Sequence, residues 1–235
     1  MTTSGGWVFN RTLRPMLVVL RRRAVDLAER RNGIRTEGEV ELDELGLAAV
    51  DRNSYKPAPW FALRRALPRR SVSPRDVFID LGSGQGRVVF QAARFYPFRR
   101  VVGVELAANL HARAAANIAG NRARLRCRDV RLVCSDVLDF PIPDDVTVVY
   151  LYNPFTGNTF ATVVDRLLAS VDRRPRRLRI VYANPVEHER LMAIGRVRLV
   201  RRVRGLRPGR EWARSASTYV YEVLPGRATP TARTV

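Results

Sequence analysis

Cysteine and histidine are scarce in this chain of 235 residues. The two cysteines, Cys127 and Cys134, are too few for a disulfide framework, so the sequence predicts a reduced compartment such as the cytoplasm. The two histidines, His111 and His188, have no partner at a spacing typical of metal ligands. We therefore expect no metal site, and we interpret these four residues as structural or surface residues.

Long apolar runs are also missing. No stretch reaches the roughly 18 apolar residues that a membrane-spanning helix needs. The longest early run, residues 15–20, has arginines on both sides and no small-residue cleavage site after it. The sequence therefore predicts neither a membrane span nor a signal peptide. Apolar residues still make up 46% of the chain, which is enough for a substantial core.

Lysine is nearly absent, although the chain is strongly basic. Lys56 is the only lysine, so arginine supplies nearly all of the positive charge, and the formal net charge is +20. Two interpretations stay open. A nucleic-acid-binding surface produces such an excess, and so does the arginine bias of a high-GC bacterial genome at solvated positions. Attraction to some anionic partner at low salt follows from the charge in either case.

Residues 77–86 carry the most informative pattern. An apolar run ends in Asp80, and Gly82, Gly84 and Gly86 follow at alternate positions. The pattern predicts a strand, a tight turn whose glycines let a ligand approach the backbone, and the start of a helix. Its G-x-G-x-G spacing differs from the G-x-G-x-x-G of dinucleotide-binding turns. This difference favours S-adenosylmethionine (SAM) over NAD, with Asp80 either reaching a cationic ligand or fixing the turn.

Strand-like and helical patterns alternate after residue 75. The alternation predicts an α/β fold, in which helices cover both faces of a mostly parallel sheet. The last two strand-like runs have no helix between them and predict an antiparallel pair at the sheet edge. The predicted strands are Val77–Leu81, Arg100–Glu105, Val130–Cys134, Val146–Tyr152, Leu178–Tyr182, Val197–Val203 and Thr218–Val223. The predicted helices are 86–96, 107–124, 158–170 and 186–194.

The ends of the chain differ in composition from this region. Residues 1–50 predict a basic helix around 12–31, followed by an acidic stretch at 37–45. A short helix over Phe61–Leu67 precedes the first strand. We expect the main domain to span 51–224 and residues 225–235, rich in Pro, Gly and Thr, to form a loose tail.

Acidic residues follow the second and third predicted strands. Glu105 ends the second strand, where nucleoside-binding sheets place an acid that accepts hydrogen bonds from both ribose hydroxyls. Asp136 follows the third strand and suits the exocyclic amine of adenine, while the N–H of Val137 suits a ring nitrogen. Asp136 alone is equally consistent with an ordinary helix N-cap. In series with the glycine turn and Glu105, it favours an adenine site.

The fourth predicted strand ends in Asn153, Pro154 and Phe155. Its tip faces the reactive end of the ligand if this strand lies beside the first. The side-chain and main-chain carbonyls of Asn153 are two acceptors that can hold an amine and aim its lone pair at a methyl group. Phe155 can line the pocket or contact a cation. A proline-containing turn with no role in substrate binding explains the same residues.

These elements, in this order, resemble the class I SAM-dependent methyltransferases over residues 50–223. The resemblance implies a Rossmann-like sheet of seven strands with an antiparallel last strand. It assigns Asp80, Gly82, Gly84 and Gly86 to the SAM loop, Glu105 to the ribose, and Asp136 with Val137 to the adenine.

A closer resemblance is to the non-SET histone-lysine methyltransferases and their bacterial relatives. It rests on a Tyr-x-Pro-x-Pro loop (Tyr55, Pro57, Pro59), on the turn Asp-Leu-Gly-Ser-Gly-x-Gly, and on an asparagine-containing tip before Phe155. The resemblance implies that Tyr55 closes over the methionine end of SAM and that Asn153 positions the nucleophile. The chain has one asparagine where that family has two before the phenylalanine, and histone specificity is not implied.

The sequence therefore predicts a cytoplasmic SAM-dependent methyltransferase that acts on nitrogen of a protein side chain or small molecule. Pro154 and Phe155 are its candidate substrate-binding residues, and Tyr55 and Asn153 its candidate catalytic residues. One alternative is an RNA-modifying methyltransferase, favoured by the arginine excess. Another is a SAM-binding adaptor without catalytic activity that uses the N-terminal basic helix. The methyl acceptor and the oligomeric state stay open.

Overall fold

The computed structural model describes residues 14–36, 38–40, 51–204 and 217–226. The acidic stretch at 41–45, the connection at 205–216 and the tail from residue 227 lie outside this part of the chain, so the expectations for them stay predictions. Of the described helices, none is long and apolar enough to cross a membrane.

Seven strands form one sheet in the order β3-β2-β1-β4-β5-β7-β6. Strands β1 to β5 are parallel, and β7 runs antiparallel to both β5 and β6. The predicted fold class is confirmed, and β4 does lie beside β1. The strands are β1 Val77–Leu81, β2 Arg100–Glu105, β3 Asp129–Cys134, β4 Val148–Tyr152, β5 Leu178–Ala183, β6 Val197–Val203 and β7 Thr218–Val223.

Helices cover both faces of the sheet. The core accordingly has two parts, one on each face: Phe78 and Phe90 belong to the first, and Ile79 and Phe160 to the second. All five residues of β1 are buried, as expected for a central strand of a parallel sheet. The helices are α1 Arg14–Asn32, α2 Ala62–Ala66, α3 Arg87–Phe95, α4 Ala108–Ala119, α5 Gly157–Arg173 and α6 His188–Ala193, with single 3₁₀ turns at Arg69–Ser71 and Arg122–Arg124.

The predicted antiparallel pair at the edge is also confirmed. Strand β7 inserts between β5 and β6, with Tyr221 opposite Ile180 on one side and Leu199 on the other. The register shifts between Leu199 and Arg201, which is a β-bulge in the edge strand. This arrangement leaves the carboxyl ends of β1 to β5 together at one edge of the sheet, where ligands of α/β proteins bind.

The C-terminal end of α1 packs on the domain. Asn117 of α4 accepts a hydrogen bond from the main-chain N–H of Arg35 (3.0 Å) and donates one to its carbonyl (2.9 Å). Asn121 donates to the carbonyl of Gly33 at 3.0 Å. The start of α1 is different, because its apolar residues Met16, Val19 and Leu20 are exposed. Residues 29–36 thus contact the fold beside the glycine turn.

Candidate functional site

A cavity opens at the carboxyl ends of the parallel strands. Its wall includes Asp80, Glu105 and Asp136 from the ends of β1, β2 and β3, and Pro154 and Phe155 from the end of β4. Residues 51–56 form the opposite wall. We call residues 51–56 the strap. The structure therefore brings together most of the residues that the sequence predicted for cofactor and substrate.

The glycine turn connects β1 to α3. Gly82 and Gly84 have φ angles of +78° and +54°, a region that favours glycine. A Cβ at Gly84 would lie 2.1 Å from Cε2 of Tyr55, and a Cβ at Gly82 would lie 2.4 Å from Cβ of Pro154. Tyr55 and Pro154 therefore pack directly on the turn. Gly82 lines the cavity, whereas Gly84 lies beneath Tyr55 and Gly86 packs against Ala114.

Glu105 holds the glycine turn in place. Its Oε2 accepts a hydrogen bond from the N–H of Gly84 at 2.7 Å, and its Oε1 accepts one from the N–H of Ala107 at 2.9 Å. Burial raises the pKa of this carboxyl, although hydrogen bonds from the main chain oppose the shift. A carboxylate has about four lone-pair sites, so each oxygen keeps one for a ligand. The ribose contact of Glu105 stays a prediction that is compatible with this geometry.

Asp80 and Tyr150 are neighbours on adjacent strands and both line the cavity. The Asp80 side chain is buried and forms no hydrogen bond or ion pair within the described residues. Burial, together with the charge of Glu105, raises the pKa of Asp80 well above its ordinary value. The hydroxyl of Tyr150 is buried without a hydrogen-bond partner in the same part of the chain. A buried, unpaired carboxylate beside the turn suits the ammonium group of an amino-acid ligand.

Asp136 has two partners. It forms an ion pair with Arg52 of the strap, and its Oδ1 accepts a hydrogen bond from the N–H of Leu138 at 3.0 Å. The contact with Leu138 has the geometry of a local cap, which was the alternative interpretation of this residue. Val137 is 9% exposed and lines the cavity. Adenine contacts of Asp136 and Val137 stay predictions, and Arg52 is a member of the site that sequence reasoning missed.

The strap runs beside the tip of β4. Asn53 donates its main-chain N–H to the carbonyl of Pro154 (3.0 Å) and its side-chain amide to the carbonyl of Asn153 (2.9 Å). Asp51 accepts a hydrogen bond from the N–H of Thr159 at 2.9 Å and another from its hydroxyl. These hydrogen bonds lower the pKa of Asp51. The strap is therefore attached to the tip of β4 and to the first turn of α5.

Tyr55 attaches the other end of the strap. Its hydroxyl donates to the carbonyl of Thr36 at 3.0 Å, and its main chain exchanges hydrogen bonds with Val40 at 2.9 and 3.1 Å. Burial raises the pKa of the Tyr55 hydroxyl. The tyrosine stays protonated at neutral pH, so its contribution in this structure is to cover Gly84 and to tie the strap to residue 36.

A buried ion pair lies under this attachment. Arg87, the first residue of α3, forms an ion pair with Glu29 at 2.8 Å, and its Nε donates to the hydroxyl of Thr36 at 2.6 Å. Its third contact is the carbonyl of Ala58 at 2.8 Å. The guanidinium also lies 5.5 Å from the ring centroid of Trp60. Sequence reasoning missed Arg87 and Glu29, whose pairing joins α1 to the residue after the glycine turn.

Asn153 adopts a left-handed conformation with φ of +43°. Its amide oxygen accepts from the hydroxyl of Tyr182 at 3.3 Å. Burial raises the pKa of Tyr182 to about 12, which keeps that hydroxyl a donor. Since Asn53 uses the main-chain carbonyl, both predicted acceptors of Asn153 have partners, and Asn153 does not line the cavity as Pro154 and Phe155 do.

The end of β5 repeats the end of β4. Asn184 has a φ of +49° and precedes Pro185, as Asn153 precedes Pro154. Tyr152 and Ala183, the residues before Asn153 and Asn184, are paired in the register of β4 and β5. The signal that could have found it is the repeated Asn-Pro after a β-strand. An asparagine thus follows each of these two paired strands, although the sequence shows only one before Phe155.

No histidine or cysteine of the described residues lines this cavity. His188 shares a 2.8 Å hydrogen bond with the hydroxyl of Tyr221. Cys127 is buried and Cys134 exposed, and neither forms a disulfide. Among the described residues, no group of three or more His, Cys, Asp and Glu side chains is arranged to hold a metal ion.

Comparison with known proteins finds a family model that is similar to the first half of the domain. The family model of the histone methylation protein DOT1 matches residues 61–133, which run from α2 through the glycine turn to β3. The chain has the class I methyltransferase fold and is related to the DOT1 histone methylation proteins. The resemblance seen in the sequence is thereby confirmed. Tyr55, Asp136 and Asn153 lie outside the matched residues.

Two curated relatives of this DOT1-related chain are methyltransferases by name. A protein-lysine N-methyltransferase of Saccharolobus islandicus is 39% identical over 75 residues, which are 32% of this chain and 47% of that protein. The H3 lysine-79 specific histone-lysine N-methyltransferase of Drosophila melanogaster is 40% identical over 53 residues, 23% of this chain and 3% of that protein. The matches thus span less than half the length of either relative.

Among solved structures, an RNA methyltransferase from Salinibacter ruber in complex with S-adenosyl-L-homocysteine (SAH) superposes with a TM-score of 0.48. The identity is 22%, and the superposition covers 74% of this chain and 97% of the other.

Proposed function

We propose that this protein is a SAM-dependent methyltransferase that methylates nitrogen of a protein side chain or a small molecule. The observation that carries the proposal is the buried Asp80 carboxylate, which faces the cavity beside the glycine turn and has no partner among the described residues. An acid in that environment is stable only with a cation nearby or a proton bound. The match to the DOT1 family model supports the same activity, and so do the two relatives of this chain that are methyltransferases by name.

The chain offers a group for each part of SAM. Asp80 and the main chain at Gly82 and Ser83 would hold the amino-acid end. Glu105 would accept from the ribose, and Asp136 with the N–H of Val137 would contact the adenine. SAM, when bound, supplies an electrophilic methyl group on a sulfonium. Because methyl transfer needs alignment more than acid–base chemistry, the protein's part is to orient the acceptor and exclude water.

The acceptor would enter beside the tip of β4. Pro154 packs on the glycine turn and Phe155 lines the cavity next to it. Asn153 and Asn184 follow β4 and β5 at the edge of the sheet where the cavity opens, and the carbonyl acceptors of an asparagine suit a nitrogen that carries protons. Asn153 would act in this step by releasing Tyr182 or Asn53, its present partners. This arrangement supports nitrogen as the acceptor atom.

An RNA acceptor receives less support from the charges near the cavity. Arg52 pairs with Asp136, and Arg190, the arginine beside Gly157, pairs with Glu187. A phosphate-bearing acceptor calls for free cations along its path. The described residues around the tip of β4 do not supply such a path, so a protein or small-molecule acceptor is the better fit. We place the reaction in the cytoplasm, on the cysteine usage of the chain.

Labelled SAM tests the proposal. Purified protein is incubated with methyl-labelled SAM and an extract of its own host, and the labelled product is separated as protein, RNA or small molecule. We expect the label in protein or a small molecule, with an Asp80→Asn variant as the inactive control. Label in RNA would contradict the proposal and indicate an RNA-modifying methyltransferase. Normal SAM binding with no labelled product in any fraction would favour the adaptor instead.

A further inference from the structure

Four arginines alternate along residues 122–128. Arg122, Arg124, Arg126 and Arg128 are exposed, whereas the intervening Leu125 and Cys127 are buried. The buried residues fix the segment on the domain, since both belong to the core on one face of the sheet. The segment therefore holds a row of positive charges in one orientation towards solvent.

Neighbouring elements extend this row. Arg94 of α3 donates to the carbonyl of Arg124, and Arg124 donates to the carbonyl of Arg31 at 3.1 Å. Arg128 donates to the carbonyl of Arg122 at 2.8 Å. We call this surface the arginine patch, and its members are Arg30, Arg31, Arg94, Arg122, Arg124, Arg126 and Arg128.

The arginine patch has no carboxylate partner within the described residues. Some exposed arginines elsewhere in the molecule do pair with carboxylates: Arg173 with Asp144 at 2.6 Å, and both Arg177 and Arg198 with Glu222, at 2.6 and 2.7 Å. A guanidinium has five N–H donors, so an arginine that donates one to a carbonyl keeps others for a ligand. A general arginine bias explains the abundance of arginine, whereas this patch adds a fixed row of four exposed arginines with no carboxylate partner among the described residues.

The composition of the patch indicates a phosphate backbone as its partner. Protein–protein interfaces have an apolar or aromatic centre, whereas protein–nucleic acid interfaces are polar and strongly positive. Among the large exposed apolar residues of the described chain, only Leu27 lies within four residues of a member of the patch. Stacking on single-stranded bases calls for exposed aromatic rings, and the aromatic ring nearest the patch, Phe95, is partly buried beside Arg94. A helix that binds a membrane surface has separate apolar and basic faces. On α1, the exposed Arg23 lies on the same helix face as the apolar Met16 and Leu27, so the two faces are not separate.

The patch lies at the opposite edge of the sheet from the cavity. Arg128 immediately precedes Asp129, where β3 begins, whereas the cavity lies beyond the end of β3. A strand of six residues spans about 20 Å. A nucleic-acid backbone bound at Arg128 would therefore lie about one strand length from the cavity, at the other end of β3.

We propose that the arginine patch is a docking surface for the phosphate backbone of duplex nucleic acid, separate from the methyl-acceptor site. The proposal does not depend on the proposed methyltransferase activity. It predicts binding without base preference, because the patch offers guanidinium groups at the surface and no groove-reading element.

Fluorescence anisotropy of the full chain with a labelled 20-bp DNA duplex, measured over a range of salt concentrations, tests it. The test variant is R122Q/R126Q/R128Q, which leaves Arg124 to hold the carbonyl of Arg31. The matched control is R173Q/R177Q/R198Q, which removes the same formal charge from arginines that pair with carboxylates. Circular dichroism and SAH titration check that both variants fold and keep the cavity.

We expect the test variant to bind the duplex about tenfold or more weakly at 100 mM salt. The slope of log K against log salt concentration should be shallower by about 2 to 3, because each phosphate contact with B-DNA contributes about 0.9 to that slope. The control should change the slope by less than one. Equal losses in both variants would overturn the proposal, because they would show a general charge effect. Absence of duplex binding by the wild type at 50 mM salt, or patch-dependent binding to phosphatidylserine vesicles alone, would overturn it as well.

Discussion

Arg52 forms an ion pair with Asp136, although 84 residues separate them in the sequence. The pair joins the strap to the end of β3 across the mouth of the cavity. Both side chains are partly exposed, at 24% and 19%, and such a pair stabilises by about 0–1 kcal/mol. This contact is one of several that attach the strap, and it is weak enough to break when a ligand enters or leaves.

Replacing Arg52 should speed the release of ligand. In an Arg52→Gln variant we expect SAH to dissociate about threefold to fivefold faster, the equivalent of up to about 1 kcal/mol. Stopped-flow displacement of SAH measures this rate. Arg190→Gln is the matched control, because Arg190 forms a similar pair with Glu187 away from the cavity wall. An unchanged or slower rate in Arg52→Gln would show that the pair does not hold the strap.

Asp80 should make the ligand-free protein less stable at neutral pH. Its pKa is raised in the folded state, so the folded protein binds the Asp80 proton more tightly than the unfolded chain does. The stability that this proton gives is fully present below the unfolded pKa near 3.8 and is lost as the pH rises through the folded-state pKa. We expect Asp80→Asn to raise the Tm at pH 7 by roughly 2–4 °C, or about 1 kcal/mol. The gain should shrink towards pH 4 in differential scanning calorimetry.

The same variant should bind SAH more weakly, because the amide lacks the charge that the ligand's ammonium needs. The wild type should lose affinity as falling pH protonates Asp80, and Asp80→Asn should show much less of this loss. A variant that gains stability and keeps full affinity would remove Asp80 from the site.

We expect Glu105 to support SAH binding in two ways, by its hydrogen bonds to the main chain and by direct contact with the ligand. Glu105→Ala leaves the N–H groups of Gly84 and Ala107 without their acceptor, and an unsatisfied buried donor costs about 1–3 kcal/mol. We expect roughly tenfold to hundredfold weaker SAH binding by calorimetry. Glu105→Gln keeps an acceptor for one of the two groups and should lose less. Equal affinity in Glu105→Ala and the wild type would contradict both roles.

The Arg87–Glu29 pair should be required for the stability of the folded protein. Arg87→Met leaves the buried Glu29 carboxylate without its charge partner, and breaking such a pair costs about 3–5 kcal/mol. Urea unfolding measures the loss. Arg173→Gln, which breaks an exposed pair, should lower the free energy of unfolding far less. The double variant R87M/E29L should recover part of the loss, and no recovery would indicate that Arg87 acts through Thr36 and Ala58 instead.

Local sequence patterns were sufficient for most of the fold. The strands 77–81, 100–105, 197–203 and 218–223 begin and end where the sequence predicts, because apolar, β-branched runs bounded by turn residues define buried strands. The predicted helix at 107–124 ends earlier, at Ala119, and a 3₁₀ turn follows. The error has a local cause, since Gly120 and Asn121 interrupt the helical pattern.

The candidate site was predicted only where its residues follow strands. Asp80, Glu105 and Asp136 each follow an apolar run, so their meeting at one sheet edge follows from the parallel topology. Arg52 and Arg87 could not be found in this way. Each depends on a pairing across more than fifty residues, and one arginine among the many in this chain carries no local signal. Asn184 could have been found from its own Asn-Pro pair after a predicted strand, but its position at the same sheet edge as Asn153 requires the pairing of β4 with β5.

A calorimetric titration of SAH into the wild type and Asp80→Asn tests whether the cavity binds the cofactor through Asp80. The account predicts one binding site in the wild type, with an affinity that falls markedly in the variant while its Tm without ligand rises. No binding to the folded wild type at millimolar SAH would contradict the account.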